Sequence, residues 1–469
     1  MHISSNNFVA AAQVALMDEP MRASVMQATT TAHTKRLNVM FEAGHAHGEA
    51  LRHQAARIRR RALARLPELL EQAEANLTAN GVTVLWAADS AETGRRVLDI
   101  AARHGVKTVS KSKSMVSEEV ALNQTLEAHG IEVAETDLAE YILQLAGEPP
   151  SHIVTPVIHK SKDDIRDLFV RTLDMPPTDD AQEMAKFARR ILRKVFLKAE
   201  MGISGGNFII AETGTVCLVT NEGNGRMVTS LPEVYVAIVG IEKVVATLED
   251  YATLTQLLPR SATGQTMTVY THLYNGPRRP GETDGPAHMY VILVDNGRSD
   301  IYQTSYAEAL ACIRCGACLN ACPVYRSTGG HAYGWVYPGP IGAVVTPLLN
   351  GLDRAKPLPM ASSLCGSCKQ VCPVDIDLPR MLLDLRRDLY EGKQVGPTWK
   401  LGLRLWAFGM ASPWRYALGG RLARLLLGDR PRKSLPGPLA GWSKYRDFPP
   451  FAAKSFHDEW NEWREKRGR

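Results

Sequence analysis

Seven of the eight cysteines fall into two short runs that each close on proline, Cys312-x2-Cys315-x2-Cys318-x3-Cys322-Pro323 and Cys365-x2-Cys368-x3-Cys372-Pro373. Thiolates recurring every third residue can wrap successive corners of a cubane iron-sulfur cluster, and in two-cluster ferredoxins the cysteine before the proline serves the other cluster. By that crossed rule Cys312, Cys315, Cys318 and Cys372 hold cluster one, while Cys322, Cys365 and Cys368 hold cluster two. The second run is one thiolate short, because Ser362, with Ser363 beside it, stands three residues before Cys365. Cluster one is therefore expected to be 4Fe-4S. Cluster two is either 3Fe-4S or a 4Fe-4S cluster whose last iron takes Ser362, water or a ligand from a partner. A zinc site would pair its ligands as C-x2-C in sets of four, which these runs do not. Disulfides would need an oxidising compartment, and the opening MHISSNNFVAAAQVALM lacks the basic flank of a secretory signal, so a cytoplasmic setting is expected. Cys217, in the apolar run TVCLVT, reads as an ordinary core residue.

Other residues offer weaker chemistry. Glu212, in AETGT, stands alone among apolar residues; burial there would raise its pKa and make it the one catalytic candidate, while a carboxylate satisfied by backbone amides is the plainer reading. Lys111 and Lys113 end a β run where they could meet an anion, although exposed lysines without a role are commoner. Arg57, Arg59, Arg60 and Arg61 could form a nucleic-acid patch but read better as the wet face of an amphipathic helix, and no nucleic-acid partner is expected. There is no strand-GxGxxG-helix carrying a dinucleotide, no P-loop and no HExxH, so the chain is not expected to oxidise an organic substrate alone.

The elements that must position these groups follow from texture. The length of 469 residues suggests two or three domains, with 45% hydrophobic and 22% charged residues giving an ordinary globular balance. Residues 1–69 form a helical segment, and apolar residues at steps of three and four continue to about residue 80. From there short β runs alternate with helices: VTVLWAAD is a strand, SAETGRRVLDIAARHG a helix, VKTVSKSK a strand, SEEVALNQTLEAHG a helix capped by Ser117, and IEVAETD a strand. That alternation predicts βαβ units around a parallel sheet with a ligand crevice at the strands' carboxyl ends. In the stretch GISGGNFIIAETGTVCLVTNEGNGRMVTSLPEVYVAIVGIEKVV a Gly-rich turn leads into a long β run, followed by a turn at NEGNG and another β run after Pro232, and the α/β domain closes near residue 297. A ferredoxin-type domain spans 298–392, in which Tyr333, Trp335 and Tyr337 shield the clusters from water. Residues 393–469 are a basic tail: from Gly396 onward 15 Lys and Arg face 6 Asp and Glu, or +9 of a whole-chain net of +6. Six of the eight tryptophans lie there (Trp399, Trp406, Trp414, Trp442, Trp460 and Trp463), a composition suited to a membrane surface or to packing against a partner subunit or the chain's own core.

With GISGGNFIIAETGTVCLVTNEGNGR and SLPEVYVAIVGIEKVV followed by CIRCGACLNACPVY and LCGSCKQVCPVDIDLP, the chain resembles the lactate utilisation protein B family from about residue 30 to its end. The resemblance implies an iron-sulfur subunit of a bacterial L-lactate oxidation complex, acting with companion subunits rather than alone. It also implies a first domain similar to the glucosamine-6-phosphate isomerase and CoA-transferase superfamily, and seven cluster ligands that map onto the seven cysteines above. Electron transport through two clusters is the expected function, with peripheral contact at the inner face of the cytoplasmic membrane as one setting. The alternatives are an enzyme whose α/β domain acts on a small acid, sugar phosphate or acyl-CoA through Glu212, and a redox sensor.

Overall fold

The computed structural model describes residues 3–392, 394–428, 431, 433–435, 440–443 and 446–468. They form two compact units, Met1–Leu389 and Tyr390–Arg469. Ten strands lie in the first: β1 (Thr83–Ala87), β2 (Thr108–Lys111), β3 (Glu132–Glu135), β4 (Met201–Gly205), β5 (Phe208–Ile210), β6 (Thr215–Thr220), β7 (Val234–Gly240), β8 (Val244–Val245), β9 (Tyr270–Tyr274) and β10 (His288–Val294). Six make an all-parallel sheet in the order β1-β10-β7-β4-β2-β3. Its central strand β7, VYVAIVG, is buried along its whole length, as a parallel strand covered on both faces must be.

The Gly-rich stretch expected as a turn ends a strand, β4, and the long β run expected after it is broken by a turn at 211–214 into β5 and β6. At Gly205 and Gly206 the chain leaves the parallel sheet, and β5 and β6 join β8 and β9 in a second sheet of order β8-β5-β6-β9. A Cβ on Gly206 would come within 2.8 Å of Val239, so the crossing needs a residue without one. Two further expectations are corrected. NEGNG is not a turn between strands but leads into a helix, Asn224–Ser230. The helix after β2 is capped by Ser114, not Ser117, and breaks at Ala121, whose φ of 54° is left-handed, into Met115–Glu119 and Leu122–Glu127.

The N-terminal helices (Phe8–Met17, Glu19–Met40, His45–Ala64 and Leu66–Ala79) do not stand apart. The second packs on the short helices of the cysteine-rich segment, Ala317–Ala321 and Pro323–Thr328. Ser5 Oγ donates to Tyr333 O at 2.7 Å, Arg36 Nη2 to Val371 O at 2.7 Å, and Arg52 to Cys372 O at 2.9 Å. The wet-face reading fails at Arg59, which is 1% exposed. It donates to Val244 O and Glu242 O on the sheet side and to Leu310 O and Ala311 O at the entrance to the cysteine segment. Arg60 and Arg61 do lie at the surface, paired with Glu308 and Asp250.

In the second unit, helices span Pro397–Met410, Pro413–Leu427 and Phe456–Lys466, and none of their described side chains is buried. The side chain of Trp442 lies outside the described residues. Among the described residues no helix is long and apolar enough to cross a membrane.

Candidate metal centre

The two cysteine runs fold alike. Arg314 (φ 58°) and Gly316 (φ 73°) flank Cys315 as Leu364 (φ 55°) and Gly366 (φ 83°) flank Cys365, and these left-handed residues curl each loop so that its amides turn inward. The Arg314 amide donates to Cys312 Sγ at 3.4 Å, and the Leu364 amide donates to Ser362 Oγ at 3.1 Å. Ser362 thus holds in the second loop the position Cys312 holds in the first. Pro323 opens the helix after Cys322, where its missing N–H costs nothing.

Cys312, Cys315, Cys318 and Cys372 converge on one small hollow, walled by Ile313, Ile341, Val374 and Ile376. Burial, more than the neighbouring sulfurs, pushes the Cys315 thiol up to about 12 and the Cys372 thiol up to about 11. The Cys368 thiol, next to Cys322 and Cys365, is likewise pushed up by burial first, to about 12. Buried thiols crowded together are poor anions by themselves, and a bound metal centre is what deprotonates them. No three of these sulfurs lie within single-ion distance: among the described residues only Glu118, Glu135 and Glu140 bring three such ligand atoms within 4.8 Å. The donor set therefore fits a polynuclear cluster better than a lone zinc ion. Cys365, by contrast, is exposed, and its thiol is lowered by hydrogen bonds from Ser367. Tyr333, Trp335 and Tyr337 are all buried.

Beside the cysteine hollow, at the carboxyl ends of β2, β3 and β4, is a cavity of about 410 Å³. Ser112, Lys113, Asp137, Gly205 and Gly206 line it from the sheet, and Ile313 and Arg314 close it from the cysteine loop. A buried ionic network joins the two sides. Arg298 grips Glu119 with both terminal nitrogens at 2.8 and 2.9 Å and Glu242 through Nε at 2.6 Å, and Tyr337 donates to Glu119 at 2.7 Å. Burial alone would raise the Glu242 carboxyl, but Arg298, Lys243 and Arg314 outweigh it and hold it at about 2. Lys243 Nζ donates to Cys312 O at 3.2 Å, and the Arg314 guanidinium lies 4.5 Å over the Tyr337 ring.

Two sequence candidates change character. Lys111 is fully buried and meets no free anion; its ammonium is taken by Glu135 at 2.7 Å and Glu118 at 2.9 Å. Lys113 does reach the cavity, with Nζ donating to Val154 O at 2.6 Å. Glu212 is not in an apolar surround: it is exposed, accepts from the Leu248 amide at 3.0 Å at the start of helix Leu248–Ala262, and does not line the cavity. Cys217 is fully buried in β6. Arg314 could have been singled out from its place inside the first cysteine run. Arg298, Glu119 and Glu242 carry no such signal.

Residues 70–294 match the LUD domain, residues 308–376 a 4Fe-4S dicluster domain, and residues 392–465 the C-terminal domain of lactate utilisation protein B. Lactate utilization protein B of Bacillus cytotoxicus is 43% identical over 468 residues, covering 98% of each chain. Its counterpart in Bacillus subtilis is 42% identical over 464 residues, covering 98% of this chain and 96% of the relative. A crystal structure of a DUF162 family protein from Deinococcus radiodurans aligns with 49% of this chain and 98% of its own at 14% identity, with a TM-score of 0.29.

Proposed function

The chain belongs to the lactate utilisation protein B family, and from that membership we propose that it is the electron-transfer subunit of an L-lactate oxidation complex. Companion subunits bind lactate and oxidise it to pyruvate, and this chain carries the electrons onward. Clusters held in the two cysteine sets would supply one-electron transfer. Cys312, Cys315, Cys318 and Cys372 are assigned to cluster one, and Cys322, Cys365 and Cys368 to cluster two. Cluster two is assigned as 4Fe-4S with Ser362 as its remaining ligand, supported by the matching amide bonds to Ser362 Oγ and Cys312 Sγ.

The observation that carries the reading is the contrast between the two sets. One is enclosed by aliphatic side chains, and the other ends at an exposed Cys365, as a relay with a buried entry and a surface exit needs. The chain's own residues tune this relay: Arg314 and Ile376 amides donate to sulfur at 3.4 Å, and hydrogen bonds of this kind set cluster potentials. The cytoplasm suits it, because thiols stay reduced there. We also infer for the α/β domain the glucosamine-6-phosphate isomerase and CoA-transferase fold, on the support of its parallel sheet with a cavity at the carboxyl ends. The test is reconstitution. Companion subunits purified without this chain are expected to pass electrons from lactate to an acceptor at under a tenth of the rate of the full complex, and an undiminished rate overturns the reading.

A further inference from the structure

The cavity of about 410 Å³ holds neither cysteine set, and it is polarised along its depth. At its mouth Glu222 is exposed and Asp137 partly exposed. Farther in, Lys243 is buried and the Arg314 side chain is 11% exposed. Arg314 Nη1 and Ser112 Oγ are buried and lack a hydrogen-bond partner among the described residues. A buried polar group left unpaired is costly, so an acceptor on a bound molecule is their natural partner. Between these polar ends the wall includes Val116, Val154, Val157 and Leu218. The volume falls in the range of about 300–1,000 Å³ typical of cofactor-sized sites, far more than a three-carbon acid fills.

One further feature narrows the occupant. Ile153, Ile313 and Arg314 line this cavity and also the hollow of Cys312, Cys315, Cys318 and Cys372, so a single layer of side chains divides them. A molecule in the cavity is therefore placed to exchange electrons with whatever those cysteines hold. Its head should be rich in negative charge, to meet Arg314 and Lys243, and its body apolar.

We propose that the cavity binds a ring carrier of flavin or quinone chemistry, whose carbonyl oxygen becomes an oxyanion on reduction, with that oxygen directed at Arg314, Lys243 and Ser112. Two electrons and one proton reduce such a ring to a monoanion. In reverse, the two electrons leave singly, one for each of the two one-electron centres assigned above, and the proton leaves by the mouth toward Asp137 and Glu222. This rests on the two-cluster reading but not on lactate being the fuel.

The test uses the full chain with both clusters verified by iron analysis and EPR, so that a failure of the cluster reading appears first and separately. FMN and menadione are each titrated anaerobically, with heat of binding and the potentials of both clusters as readouts. One or both probes are expected to bind and to shift the potential of cluster one while leaving cluster two unchanged. A response to FMN marks a flavin site, and a response to menadione a quinone site. Arg314→Gln and Val157→Trp, the second filling the cavity without touching its charges, should each weaken binding at least tenfold at unchanged iron content. If Arg314→Gln fails to retain its clusters, Val157→Trp carries the test alone. The proposal is overturned if neither probe binds the iron-replete protein, or if binding survives the cavity-filling substitution.

Discussion

On the assignment proposed above, the nuclearity of the second cluster turns on Ser362. Its hydroxyl accepts an amide at 3.1 Å in the geometry that Cys312 Sγ shows at 3.4 Å, and Arg386 holds its carbonyl at 3.1 Å. An oxygen ligand at that position predicts a graded series. Ser362→Cys should retain a four-iron cluster and resist loss of iron on exposure to air for longer than the parent. Ser362→Ala should lose one iron and give the EPR signal of an oxidised three-iron cluster, whereas identical spectra in all three proteins would exclude Ser362 as a ligand. The two cysteine runs and the serine standing where an eighth cysteine would were legible because the proposed chemistry is local: candidate ligands three residues apart on one loop must show as a spacing. Glu212 misled for the opposite reason. An apolar sequence neighbourhood does not fix burial, and a turn between β5 and β6 carries the residue to the surface.

At the scale of elements, the sheet and the cysteine segment are joined by charge. Arg298, at the start of helix Arg298–Tyr302, reaches Glu242 across 56 residues of chain and Glu119 across 179. No periodicity or motif records such a partnership, which is why the strands and helices could be read from the sequence and the network that fastens them could not. Breaking a buried pair leaves the other charge uncompensated, at about 3–5 kcal/mol. Arg298→Met should therefore lower the free energy of urea unfolding by about that much. Acid adds a second signature. Glu119 and Glu242 are both held below the ordinary carboxylate value, Glu242 at about 2. Their contribution is complete above the unfolded glutamate value of about 4.3 and is lost as the pH falls below it. The parent should lose more stability through that acid window than the Arg298→Met protein, in which Glu119 has lost its cation and Glu242 keeps only Lys243 and Arg314. Equal acid titrations of stability in the two proteins would count against the network.

At the scale of the whole molecule, unit Met1–Leu389 arranges a cavity, an enclosed cysteine set and a set ending at an exposed cysteine, and unit Tyr390–Arg469 supplies a different surface. Helices Pro397–Met410 and Pro413–Leu427 leave Trp399, Leu405, Trp406, Phe408, Trp414 and Leu425 exposed. Arg404, Arg415 and Arg421 interleave with them, and a run of large apolar side chains of this extent marks an interaction surface rather than a solvated one. The excess of tryptophan and arginine announced that surface in the sequence, since both are enriched where partners meet. Its occupant did not show there, because composition cannot distinguish a protein partner from a lipid headgroup layer. A companion subunit predicts that Leu405→Glu together with Trp406→Glu leaves iron content and Tm unchanged while co-purification with the other subunits is lost and electron flow from lactate falls at least tenfold. If instead the subunits remain together and the variant is released from anionic vesicles that retain the parent at low salt, the surface faces a membrane.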